Sequence, residues 1–204
     1  MEKKTKTLGG VGYILILASM VLAPLLMGLN GLLGIAGLVM IIIAYFKAAD
    51  EFNDPEIKSL TIKYLVLTVV AIVVMFIGGA SLMVKAFKMS KVDVPSPGVT
   101  PGLSAGAIFG IFIFYVLSVV ATYFWYKANA RLADHTGVNL FKTGGLLQFV
   151  GVITSIILVG ALVIIVGYVL STIAFFSVEE TQTAQMIPPP PPPPSSPTPP
   201  SGTG

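Results

Sequence analysis

The chain has 204 residues, 55% hydrophobic and only 10% charged, with a mean hydropathy of +0.91. Soluble domains carry about 25% charged residues, so this chain lacks the polar side chains to clothe a globular surface. The net charge of +3 is spread over the loops instead of forming a nucleic-acid footprint, and the absence of cysteine removes disulfides and thiolate ligands.

The charges are bunched. No Asp, Glu, Lys or Arg occurs in 8–46, 64–84, 102–126 or 143–178, and each gap exceeds the roughly 18 apolar residues that indicate a transmembrane helix. The predicted class is an all-α, polytopic transmembrane helix bundle over residues 8–178. It lies between a basic N-terminal segment, 1–7, and a disordered proline-rich tail, 179–204. The first apolar block is too long for the core of a signal peptide and reads as a retained helix.

Pro24 and Gly28-Leu29-Asn30-Gly31 interrupt that block. They predict spans at about 8–27 and 31–47, with a hairpin turn at Asn30 and Gly31. Asp54-Pro55-Glu56 then combines an N-cap, a proline at the first helical position and an acid at the positive end of the helix dipole. This helix leads into a span at 61–84. Thr100-Pro101 repeats the cap and opens a span at 102–126, whose helix is expected to continue to Gly137, a C-terminal capping glycine. Within it, Gly102, Gly106 and Gly110 form a flat face for close helix approach, inside the chain or in a homo-oligomer.

Asn139 is expected to cap the last block, which starts at Leu140. A single helix over 140–177 would measure roughly 57 Å, against a hydrocarbon core of about 30 Å. Two spans are therefore predicted, 140–158 and 161–177, turning at Gly160. An internal echo accompanies the parallel with the first block. Gly37, Val39, Ile43, Ala44 and Phe46 match Gly167, Val169, Ile173, Ala174 and Phe176 at equal spacing, with Tyr45 facing Phe175 in the alignment.

Six spans place nine basic residues on one side: Lys3, Lys4, Lys6, Lys47, Lys58, Lys63, Lys127, Arg131 and Lys142. Three, Lys85, Lys88 and Lys91, fall on the other. The positive-inside rule then puts both termini in the cytoplasm of a cell-membrane protein. Five spans give the same bias but an external C-terminus, so length decides for six. The tail contains seven consecutive prolines, 188–194. Residues 188–200 suit a polyproline II arm of roughly 40 Å, either a spacer, a ligand for an aromatic-lined groove of a partner protein or, with five spans, an external O-glycosylated stalk.

Polar residues within spans are the default functional candidates. Gln148 leads, because a buried amide needs partners; Thr154 and Ser155 follow on the same block, with packing the simpler role for all three. No carboxylate or basic residue lies mid-membrane, which argues against a proton- or ion-coupled pump. His135 beside Asp134 lacks a second ligand motif, and the acids Asp50, Glu51, Asp54 and Glu56 read as a solvated interface. No nucleotide or zinc motif is present. Neither a cofactor nor enzymatic activity is expected, and membrane lipids are the expected surroundings.

The segments "TLGGVGYILIL", "GLVMIIIAYFKAADEFNDPEI" and "ARLADHTGVNLFKTGGLLQFVGVITSIILVG", with the aromatic pair Phe175-Phe176, resemble a largely archaeal membrane family known as domain of unknown function 996. The resemblance covers about 5–178 and is most specific at Thr136–Leu147; the 85–101 loop and the tail lie outside its pattern. It implies a polytopic membrane domain of unassigned activity and supplies no catalytic residues. The leading expectation is thus a non-enzymatic membrane scaffold or adaptor; the alternative is a small passive transporter or channel.

Overall fold

The computed structural model describes residues 1–22, 29–89, 105–157 and 159–178. All its secondary structure is helical: α1 (Lys3–Leu22), α2 (Leu29–Glu51), α3 (Pro55–Met89), α4 (Ala105–Thr136), α5 (Leu140–Ile153) with a 3-10 turn (Thr154–Ile156), and α6 (Val159–Ser177). Five helices are long and apolar enough to cross a membrane. The sixth, α5 with its 3-10 turn, runs from Leu140 to Ile156, at the short end of the roughly 17–25 residues that span a bilayer. The Thr100-Pro101 cap, Gly102 and the tail lie outside the described residues.

The local signals act as predicted at two helix ends, the start of α3 and the finish of α4. Asp54 Oδ1 accepts the Glu56 N–H at 2.9 Å and so caps α3. Just before it, Asn53 has a φ of 50°, with Asp54 N–H reaching Ala49 C=O at 2.9 Å and Asn53 N–H reaching Asp50 C=O at 3.3 Å. This paired closure uses a left-handed residue to end α2 and start α3 within three residues. Gly137, at φ 70°, ends α4 with its N–H on Ala133 C=O at 2.8 Å.

Other boundaries correct the sequence reading. Helix α5 starts at Leu140, but the Asn139 side chain makes no capping bond; its carbonyl takes the Thr143 N–H at 3.0 Å. Asn30 and Gly31 sit in the first turn of α2, so the turn expected at them is not there; residues 23–28, between α1 and α2, lie outside the described set. Helix first turns have unpaired N–H groups anyway, which makes a Gly-Asn pair tolerable there.

The last reversal comes earlier than Gly160. Ile157 is extended, at φ −104° and ψ 113°, and Gly160 already belongs to α6. The reason lies in the carbonyls of the ending helix. Thr154 Oγ1 donates to Val150 C=O at 2.9 Å, Ser155 Oγ to Val152 C=O at 2.7 Å, and the Tyr115 hydroxyl of α4 to Ile153 C=O at 2.7 Å. Hydroxyls thus satisfy the groups that a broken helix would leave bare in lipid.

Each helix packs against its chain neighbours, and α6 packs against α1, closing a ring in chain order. Gly9 and Gly10 on α1 make that closure: a β-carbon on either would strike the rings of Phe175 and Phe176. One contact recurs in the first and last hairpins. A β-carbon on Gly12 would meet Gly37 O at 2.8 Å and Ile41 N at 3.0 Å; on Gly144 it would meet Gly167 O at 3.0 Å and Ser171 N at 3.1 Å. Gly37 and Ile41 are the echo partners of Gly167 and Ser171, so the repeated sequence performs one packing task twice. Seven residues further along, Gly151 and Gly160 repeat the crossing between α5 and α6. Without side chains, the backbones approach closely enough for dispersion to hold helices together in lipid.

Candidate functional site

The core is concentrated at one end of the ring, the end holding the start of α1, α3 and α5 and the finish of α2, α4 and α6. Every helix contributes an aromatic to it: Tyr13, Tyr45, Trp125, Phe141 and Phe175 are buried there, and Tyr64, Phe124 and Tyr168 pack against them. Tyr45 and Tyr64 flank Trp125, with centroids 4.4 and 4.6 Å from its ring. Phe175 meets Phe141 edge-on at 4.8 Å and reaches Tyr13 and Tyr45 at 5.9 Å. Such offset and edge contacts favour a fixed arrangement beyond simple area burial. At the opposite end the large apolar side chains, such as Phe76, Phe109, Ile156 and Leu162, point outward, as lipid contact requires.

Gln148 sits among these rings, 3% exposed. Its Oε1 accepts the Trp125 indole N–H at 2.9 Å and its Nε2 donates to Ser171 Oγ at 3.0 Å, joining α4, α5 and α6. A second buried amide, Asn129, accepts the Tyr45 hydroxyl at 2.7 Å and donates to Trp125 C=O at 2.8 Å, joining α2 to α4. Sequence reasoning singled out Gln148 but missed Tyr45 and Trp125, which lie inside predicted spans and were passed over as apolar rings, and Asn129, which lies beyond the span that was expected to stop at 126. The signal was there: Trp125 and Asn129 are one turn apart and share a face with Leu132. The Tyr13 hydroxyl is different. It is buried without a hydrogen-bond partner among the described residues, an arrangement that costs about 1–3 kcal/mol.

Thr154 and Ser155 take no part in this network. They lie in the 3-10 turn between α5 and α6, at the other end of the bundle, and bond their own helix. Gly106 and Gly110 are on α4, and Gly110 is buried within the bundle.

The core end is finished by polar ties. Asp54 Oδ2 lies 2.8 Å from His135 Nε2, and His135 stacks on Phe52 at 5.0 Å between centroids. Burial pushes the Asp54 carboxyl up, but hydrogen bonds from His135 and from the Glu56 and Ile57 N–H groups outweigh it and hold it below its ordinary value. Arg131 pairs with Glu56, and Lys58 with Asp50 at 3.7 Å. Glu51 accepts the Thr5 hydroxyl and, at 2.8 Å, the Glu2 N–H. The four acids of this region thus have four different partners; among the described residues no three potential ligands gather around a common point. What they do is join α1 to α2 and α3 to α4.

An open, mostly apolar groove of about 620 Å³ lies between α1 and α2, lined by Lys3, Lys4, Thr7, Leu8, Met40 and Lys47. A smaller cavity of about 180 Å³ between α3 and α4 is lined in part by Tyr64, Thr68, Ser118 and Thr122.

A family model described as "Protein of unknown function (DUF996)" matches residues 33–169. An uncharacterized protein of Methanocaldococcus jannaschii is 35% identical over 181 residues, which cover 87% of this chain and 93% of the relative. No solved structure matches the chain. With a multi-pass set of apolar helices and a family match over most of its bundle, the chain belongs to the DUF996 family of proteins of unknown function.

Proposed function

We infer that the protein is a non-enzymatic scaffold or adaptor of the cell membrane, with both termini in the cytoplasm and the proline-rich tail as its partner-binding arm. The observation carrying this reading is that Met1 and Val178, 5% and 3% exposed, pack into one core cluster. That supports departure of residues 179–204 from the end that holds Lys3, Lys4, Lys6, Lys47 and Arg131, the end the positive-inside rule assigns to the cytoplasm. There, prolines 188–194 can present a preformed polyproline II ridge to an aromatic-lined groove. Self-association along the Gly102–Gly110 face belongs to the same reading, limited by the burial of Gly110 inside one chain.

Against passive transport stands the engagement of the polar groups. Ser118, Thr122 and Thr172 donate to carbonyls of their own helices, and Gln148 is occupied on both its O and its N. A conducting path would need such groups to face solute.

The test compares what co-purifies with the full chain and with a chain lacking 179–204. A protein retained only by the full chain is expected. An identical set of companions on both would sink the adaptor reading, as would reproducible solute flux in liposomes abolished by Gln148→Leu.

A further inference from the structure

We propose that the α1–α2 groove is a binding site for one anionic phospholipid, its phosphate held by Lys3, Lys4 and Lys47 and its acyl chain laid over Leu8 and Met40. Three observations converge. First, the groove's volume, about 620 Å³, is in the range of sites that hold a small molecule, and its lining is largely apolar. Second, its three lysines come from two helices that meet there antiparallel, so the cations gather at one rim instead of running along one face.

Third, among the described residues these lysines, like Lys6 and Lys142, lack the partners that four other cations at this end possess. Lys58 pairs with Asp50 and lies over Phe46, Lys63 lies over Phe124, Lys127 over Tyr123, and Arg131 pairs with Glu56. Among the described residues no carboxylate lies within ion-pair distance of Lys3, Lys4 or Lys47, although Glu2 and Asp50 are near in sequence; Asp50 is paired with Lys58, and Glu51 is held by the Thr5 hydroxyl and the Glu2 N–H. The Thr7 hydroxyl donates to Lys3 C=O at 2.9 Å, which leaves the amines as the donors free to meet a phosphate.

The position along the helices fits an amphiphile. Leu8 begins the uncharged run 8–46, and Lys47 is the first charge after it. The cations therefore sit where a headgroup lies and the apolar floor sits where its chain begins. Lysines beside an anionic surface each strengthen attraction by about fivefold.

The test uses purified full-length protein in neutral detergent, with phosphatidylglycerol, phosphatidylcholine or inorganic phosphate added, and bound lipid counted by native mass spectrometry. One retained phosphatidylglycerol is expected, with little phosphatidylcholine. The K3Q/K4Q/K47Q variant should lose about two orders of magnitude in affinity. K58Q/K63Q/K127Q removes the same charge elsewhere and should keep it. Equal loss in both variants, equal retention of phosphatidylcholine, or binding of inorganic phosphate alone would overturn the site. Should the first variant fail to fold, amine acylation of the unaltered protein decides. Phosphatidylglycerol must shield Lys3, Lys4 and Lys47 more than Lys58, Lys63 and Lys127; uniform reactivity refutes the proposal.

Discussion

Gly160 and Gly31 are both glycines near the start of a helix, yet their surroundings differ completely. A β-carbon on Gly160 would collide with Gly151 O and Ser155 N, both backbone atoms that cannot swing away, whereas Gly31 has nothing within 4 Å. Gly160→Ala is therefore expected to lower the unfolding temperature in detergent, at a cost of about 1–3 kcal/mol. Gly31→Ala should leave it unchanged or slightly raised, because alanine is the better helix former. Equal behaviour of the two variants would show that the hairpin crossing tolerates separation. At this scale the sequence was only half legible. The four-residue glycine spacing on α4 drew notice, while the seven-residue spacings that build the last hairpin, Gly144 to Gly151 and Gly160 to Gly167, did not. Which glycine meets which depends on how two helices are aligned, and one helix's sequence does not encode its neighbour's register.

Between α2 and α3 the chain reverses in three residues, and that junction is anchored to the end of α4. The Asp54 cap was readable because Asp, Pro and Glu act on their own helix; the His135 contact was not, since 81 residues separate the partners. The junction has a pH signature. Asp54 has an ordinary value of 3.8 and a lowered one in the fold, so unfolding takes up a proton at a pH where the native carboxyl stays charged. Its contribution is complete above the unfolded value and disappears as the pH falls through the lower native one. Melting temperatures should thus drop progressively below about pH 5. Asp54→Asn keeps a competent cap but loses the carboxylate's bond to His135, so it should start lower at neutral pH, by about 1 kcal/mol, and show a shallower acid slope. An acid slope identical to that of the unaltered protein would mean that the junction contributes nothing to it.

As a whole, the bundle has its aromatic core and polar ties at one end and lipid-facing apolar surface at the other. The class of the helices followed from gaps between charges, because lipid tolerates so few of them, and their number from the Pro24 break in the first gap and the excess length of the last. The ring order and the meeting of aromatics from every helix did not, since neither is a property of any segment alone. The corrected turn also changes how sidedness is best measured. A cysteine at the exposed Ile157 should react only with reagent applied outside, and one at Gly204 only after the membrane is opened. External labelling at Gly204 would break the six-span reading. The closure of α1 on α6 has a consequence for biosynthesis. Gly9 and Gly10 emerge from the ribosome long before the rings that fill their grooves, Phe175 and Phe176. Until then α1 can lean on α2 alone, and any truncation before residue 175 leaves its second face open to whatever helix or chaperone the membrane offers.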